Sequence, residues 1–220
     1  MTTRWRHALV FLHVISSVSW MTAATALAIL LGLSRADTGA TTAAVAMAHH
    51  LDLYLLAVTA NASATTGVVL AWTTPWGLVR HWWVAAKAVI TLGQLYAGIA
   101  ILSPVLDDLA RGAGPAPSAL VAGTVAMAGA VAVQAFLSVA KPWGPTPVAR
   151  RSRTRPPRAE WPLVAAGVVA PVVDVGLTVA VGFPAPLAEV VVLVVVAVAR
   201  RRALVTRPVP TTAAAPRRRS

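Results

Sequence analysis

Residues 8–33 read ALVFLHVISSVSWMTAATALAILLGL, and no Lys, Arg, Asp or Glu falls between Arg6 and Arg35. A helix of about 20 apolar residues, rising about 1.5 Å per residue, crosses the hydrocarbon layer of a bilayer. This run is long enough to do so. A signal peptide is the competing reading, because Arg4 and Arg6 precede the run and Ala26-Leu27-Ala28 mimics a cleavage site. The run is too long for an ordinary signal core and contains His13 and Trp20, so a retained helix is expected.

The pattern recurs along the chain. Residues 51–72, 82–102 and 117–140 form three more long apolar runs, the third run of the chain ending at Ser103-Pro104 and the fourth lying between Arg111 and Lys141. Residues 161–181 are long enough to cross despite Asp174. Gly182-Phe183-Pro184-Ala185-Pro186 has the composition of a turn. Residues 187–199 then form a short, valine-rich run stopped by Arg200, Arg201 and Arg202. In lipid the backbone must close its own hydrogen bonds, so this run reads as helix and not as strand. The expected fold is an all-α, multi-pass transmembrane helical bundle: four helices, then a C-terminal helical pair, six spans in all. A re-entrant or interfacial hairpin is the alternative for the last pair.

Composition supports a membrane. Of 220 residues 57% are hydrophobic and 12% charged, where a soluble domain carries about a quarter charged residues. No cysteine occurs, which excludes disulfides, thiolate metal sites, thiol nucleophiles and CxxCH-type haem attachment. The net charge of +12 admits a nucleic-acid partner in principle, but the arginines flank apolar runs as cytoplasmic loops do, so no nucleic acid is expected. No phosphate-binding loop, HExxH, nucleophile elbow or GxGxxG pattern is present, and a non-enzymatic role is expected. Heavy use of Ala, Val, Arg and Pro is in keeping with a GC-rich, bacterial coding sequence.

Charge also suggests an orientation. With both termini inside, the inner segments hold sixteen of the 19 basic residues and the outer loops only Arg35 and Arg111. Trp5, Trp72, Trp76, Trp82, Trp83, Trp143 and Trp161 then all sit at the inner interface, where indole prefers the headgroup layer. Trp20 alone does not. The plasma (inner) membrane is the expected location. Four regions follow: a four-helix bundle (1–147), a basic cytoplasmic linker (148–160), a hairpin (161–202) and a disordered basic tail (203–220). In the linker Arg150, Arg151, Arg153, Arg155 and Arg158 are placed to meet anionic lipid headgroups.

Polar residues inside the apolar runs form stripes at helical spacing. His13, Ser16, Ser17 and Trp20 share one face of the first helix, and the second carries Asn61, Thr65 and Thr66. Lys87, Thr91, Gln94 and Gly98 recur on the third; Thr124, Met127, Gln134, Ser138 and Lys141 align on the fourth. A polar cluster in the cytoplasmic half, built from His13, Ser17, Thr65, Lys87, Thr91, Gln94 and Gln134, is one reading. Helix-to-helix hydrogen bonds, hydroxyls bonding their own backbone and a snorkelling Lys87 are the others. Met47, His49, His50 and Asp52 gather at the outer end of the second helix, near Asp107 and Asp108, as a candidate copper or zinc site. His13 and His81 are the candidate pair for a haem b. Asp174 is a candidate for a proton or ion path, and Glu189 is expected to reach water at the outer turn.

Three pieces carry a family resemblance. Arg6-His7-Ala8-Leu9-Val10-Phe11-Leu12-His13-Val14-Ile15-Ser16-Ser17-Val18-Ser19-Trp20 is the first. Thr74-Pro75-Trp76-Gly77-Leu78-Val79-Arg80-His81-Trp82-Trp83-Val84, followed by Lys87 and Thr91, is the second. Ser138-Val139-Ala140-Lys141-Pro142-Trp143-Gly144 is the third. Over roughly residues 4–147 the chain resembles a family of small bacterial integral membrane proteins of no established activity. These in turn look distantly similar to the cytochrome b561 and copper-resistance D bundles. The resemblance implies a four-helix membrane fold and a cluster at His13, His81 and Lys87. The linker and last two apolar segments extend past the family's pattern. Partner readings left open are a second membrane protein and a homo-oligomer.

Overall fold

The computed structural model describes residues 3–36, 39–74, 76–112, 114–151 and 161–205. Helix α1 (Thr3–Leu33) runs unbroken for 31 residues. Its buried face, Leu9, Ser16, Trp20, Ala23, Ala24, Leu27 and Leu31, repeats at helical spacing, while Phe11 and Ile29 on other faces are 69% and 59% exposed. The alanines at the contact let neighbouring backbones approach closely. α1 packs against α3 and α6 most extensively and also against α2 and α8, so it is the central helix.

The second span is longer than the sequence suggests. Helix α2 (Thr41–Leu51) passes through a π-helical turn at Asp52–Leu56 into α3 (Ala57–Thr73). Helix therefore begins ten residues before Leu51, because uncharged Thr41–Ala48 buries Val45 and Ala48 in the same cluster as Trp20, Leu27 and Leu31.

The third span also overruns its expected end. Helix α4 (Trp82–Ala97) continues through a second π-helical turn, Gly98–Leu102, into α5 (Ser103–Ala110). Pro104 does not stop the chain as Ser103-Pro104 predicts. It occupies the first turn of α5, where a proline's missing N–H costs little, just past the widened turn. The two π-helical turns are tied together, since Ser103 donates to Asp52 Oδ2 at 2.9 Å.

Helix α6 (Ser118–Ala140) ends at Lys141, which adopts left-handed backbone (φ 45°). A short α7 (Pro147–Arg151) precedes the C-terminal pair, α8 (Trp161–Val181) and α9 (Leu187–Val205). Among the described residues there is no strand, only an isolated bridge between His81 and Pro145.

Five segments are long and apolar enough to cross a membrane: Arg4–Leu33, Thr41–Thr73, Trp82–Ala110, Ser118–Ala140 and Trp161–Val181. The six expected spans are thus five, plus a shorter apolar helix, Leu187–Ala199. The cause is the arginine triplet, which ends the apolar stretch at residue 199 although helix continues to Val205. The spans carry large apolar side chains on their outer faces, among them Val89, Leu92, Tyr96, Phe136, Val139 and Val179, each more than 60% exposed. Such a surface suits hydrocarbon and not water.

The hairpin of α8 and α9 packs directly onto the first four-helix region. Leu9, Val69, Val164, Ala170, Val192 and Val196 form one buried cluster drawn from α1, α3, α8 and α9. Of the linker arginines, Arg150 is exposed, whereas Arg153, Arg155 and Arg158 lie outside the described residues, as does the tail from residue 206.

The tightest approach in this interface is at Gly167, where an added Cβ would sit 3.1 Å from both methyls of Val69. Val69 is fully buried and β-branched, so it cannot turn aside. Gly167→Val is therefore expected to cost about 1–3 kcal/mol by overpacking. Val69→Ala in the same chain should restore part of that loss. Thermal unfolding in detergent, followed by circular dichroism, measures both.

Candidate functional site

Polar side chains inside the bundle fall into two ladders. The first joins α1 to α3. The His13 ring Nδ1 lies 3.1 Å from the Ser63 carbonyl and 3.0 Å from Thr66 Oγ1. A carbonyl can only accept, and the Thr66 hydroxyl donates to the Ala62 carbonyl at 2.6 Å, so the network places the ring proton on Nδ1. Ser17 Oγ shares a hydrogen bond with Ser63 Oγ at 2.7 Å while donating to its own helix at the His13 carbonyl. Ser16 donates to that carbonyl as well. Thr66, not Thr65, makes the contact to His13. Adjacent helix positions differ by about 100°, and Thr65 is buried on another face.

The second ladder joins α4 to α6. Lys87 Nζ donates to Ser138 Oγ at 2.6 Å, and Ser138 donates to the Gln134 carbonyl at 2.9 Å. Thr91 donates to Gln134 Oε1 at 2.8 Å, and Gln134 Nε2 donates to Gln94 Oε1 at 2.6 Å. Gln94 Nε2 ends the chain on the Met127 carbonyl at 2.9 Å. The stripes Lys87-Thr91-Gln94 and Met127-Gln134-Ser138 thus face each other down two helices. Lys87 is therefore a hydrogen-bonded rung of the ladder.

The haem pairing does not fit these positions. A Cβ added at Gly67 would lie 3.1 Å from His13 Cε1, so the imidazole rests directly on the α3 backbone with no room for a porphyrin between. His81 precedes α4 in the connection from α3; its Nδ1 donates to the Trp76 carbonyl at 2.8 Å and its ring meets Trp76 edge-on. The two histidines thus serve different contacts.

The residues of the candidate metal site lie near one another, the His49 and His50 ring centres 6.2 Å apart, but make separate contacts. His49 Nε2 pairs with Asp107 at 3.0 Å. Asp52 accepts from Ser103, His50 stacks on Tyr54, and Met47 is 61% exposed. Among the described residues no group of three or more His, Cys, Asp or Glu side chains is placed to hold a metal ion.

Two contacts were not legible as such. At the Trp-rich end the loop before α4 pairs with the chain after α6. Thr146 N–H donates to the Arg80 carbonyl and its hydroxyl to the Val79 carbonyl. Lys141 Nζ lies 5.5 Å from the Trp76 ring centre and Trp76 packs edge-on against Trp83. The second and third resemblance motifs therefore form one knot.

At the opposite end Asp174, from the middle of α8, accepts the Ala188 N–H at 2.9 Å and the Glu189 N–H at 2.8 Å. It caps α9 from across the hairpin, which satisfies two of the donors that every helix start leaves unpaired. Glu189 does not reach water as its closeness to the turn suggests. It is 2% exposed, because the first turn of α9 lies against α3 and α8.

This architecture is that of an integral membrane protein of the all-α, multi-pass class. Comparison with protein-family models, curated proteins and solved structures finds no match for the chain.

Two outcomes follow from these bonds. A double-mutant cycle of Gln94→Leu and Gln134→Leu is expected to yield a coupling of about 0.6 kcal/mol, and no more than about 1.7 kcal/mol, read from unfolding in mixed micelles. Asp174→Ala removes two capping bonds, and an N-cap is worth about 1 kcal/mol. Hydrogen exchange should accelerate in the first turn of α9 and leave α6 protected.

Proposed function

We propose that this protein is a non-enzymatic helical bundle of a bacterial plasma membrane, with both termini in the cytoplasm and its buried polar residues acting as interhelical ties. The paired ladders carry this reading. His13 through Nδ1, and Ser17, Thr91, Gln94 and Gln134, are each hydrogen-bonded to a neighbouring helix. Groups committed in this way hold helices in register and are poorly available to a substrate.

Sixteen inner basic residues against two outer ones support the orientation. The exposed Trp76, Trp82, Trp143 and Trp161 fall on the side that charge assigns to the cytoplasm. There the linker arginines from Arg150 onward meet anionic headgroups, each adding about 1 kcal/mol of attraction. The resemblance over residues 4–147 supports a bacterial source. Membrane lipid is the partner this reading requires.

The chain's lack of cysteine makes the test direct. Val148→Cys and Ser118→Cys place single thiols at opposite ends of the bundle, both at exposed positions. In intact cells an impermeant maleimide should label Ser118→Cys only; Val148→Cys should react after permeabilisation. The reverse pattern overturns the orientation. The detergent-purified protein should show no Soret band and no stoichiometric copper or zinc. A Soret band lost on His13→Ala overturns the structural reading.

A further inference from the structure

Beneath the Gly182–Pro186 turn lies a small cavity lined by Asn61, Asp174, Thr178, Pro186 and Glu189, with room for one water-sized particle (about 10 Å³). Asp174 and Glu189 are 4% and 2% exposed. Their roles differ. Both oxygens of Asp174 accept backbone N–H groups of α9. Among the described residues Glu189 Oε2 is buried with no hydrogen-bond partner.

An ionised carboxylate oxygen in such a place needs a positive charge or a proton. The surrounding helices supply no cation: residues 57–73, 161–181 and 187–199 contain no Lys, Arg or His. The titratable groups that approach from neighbouring elements are Asp174 itself and Tyr54, whose hydroxyl donates to the Gly182 carbonyl. The N–H groups and dipole of α9 offset the charge of Asp174 in part, which leaves about one negative charge unanswered.

The remaining lining is suited to a hard cation. Thr178 gives its proton to the Asp174 carbonyl at 2.8 Å, so its oxygen lone pairs stay available. Asn61 lines the cavity from α3, and Glu189 brings the unpartnered Oε2. One unanswered negative charge is balanced by a monovalent ion, whereas a divalent ion would leave an excess positive charge buried among apolar helices.

We propose that Glu189, Asp174, Asn61 and Thr178 form a binding site for one small monovalent cation, Na⁺ or a proton competing for the same oxygens. The site sits where three helices meet, so its occupancy couples the α8–α9 hairpin to α3. Protonation of Glu189 neutralises the oxygen that Na⁺ uses, so Na⁺ binding weakens as pH falls.

The test uses the full-length protein in detergent. Its unfolding midpoint is measured in NaCl and in choline chloride at matched ionic strength, at alkaline and mildly acidic pH, alongside equilibrium binding of radioactive sodium. Na⁺ should raise the midpoint at alkaline pH, increasingly with the logarithm of its concentration. The effect should shrink in acid and vanish in Glu189→Gln. Asn61→Ala keeps both carboxylates and should weaken sodium binding about tenfold, which serves as the readout if Glu189→Gln fails to fold. A midpoint that responds to acid but not to Na⁺, with the response lost in Glu189→Gln, assigns the site to the proton. If wild type and Glu189→Gln respond identically to Na⁺ and to pH, the proposal is overturned.

Discussion

Hydrocarbon offers a polar group no solvent to bond with, and this single constraint organises the molecule. The backbone meets it by being helical almost throughout. Side chains meet it in two ways: serines and threonines bond carbonyls of their own helix, and the larger polar groups bond across helices. Gln94 and Gln134 illustrate the second solution, because each ties one end of its amide to the other and the remaining ends to Met127 and Thr91. Each such bond contributes little, since the separated helices would also find partners in the membrane. Their value lies in fixing which faces meet.

α1 is the helix that most of the others pack against. Its buried face is built from alanines and leucines around Trp20, with His13 and Ser17 at its polar edge. Small residues bring α1 close to its neighbours, and close approach brings the His13 ring onto Gly67. Steric fit and hydrogen bonding therefore specify the same register. The C-terminal hairpin is held on similar terms: Gly167 admits Val69, and Asp174 caps α9 across the turn. A carboxylate that is costly in lipid is tolerated because the start of a helix surrounds it with donors.

Much of this was legible in residue order. The uncharged runs located the spans, and the stripes on α4 and α6 pointed at the faces that zip together. The misreadings have local causes. Pro104 looks like a stop, but a π-helical turn ahead of it shifts the proline into a first helical turn, where no N–H is needed. Thr41–Ala48 lies ahead of the run that begins at residue 51, yet its small and β-branched residues, Val45 and Ala48, are what the contact with α1 uses. Met47, His49, His50 and Asp52 are neighbours in sequence, but successive helix positions point about 100° apart and so turn to different partners.

Sequence alone determined that the chain is a helical membrane protein, because length, charge and hydropathy answer directly to the thickness and polarity of a bilayer. It also determined which side chains are polar at depth. Which of them touch was decided only by the tertiary structure. Thr66 rather than Thr65 holds His13, Asp174 caps a helix fourteen residues away, and Glu189 turns inward beside a turn that promised it water. The physical reason is that bilayer insertion depends on averages over about 20 residues, whereas a hydrogen bond depends on an orientation that one residue of shift reverses.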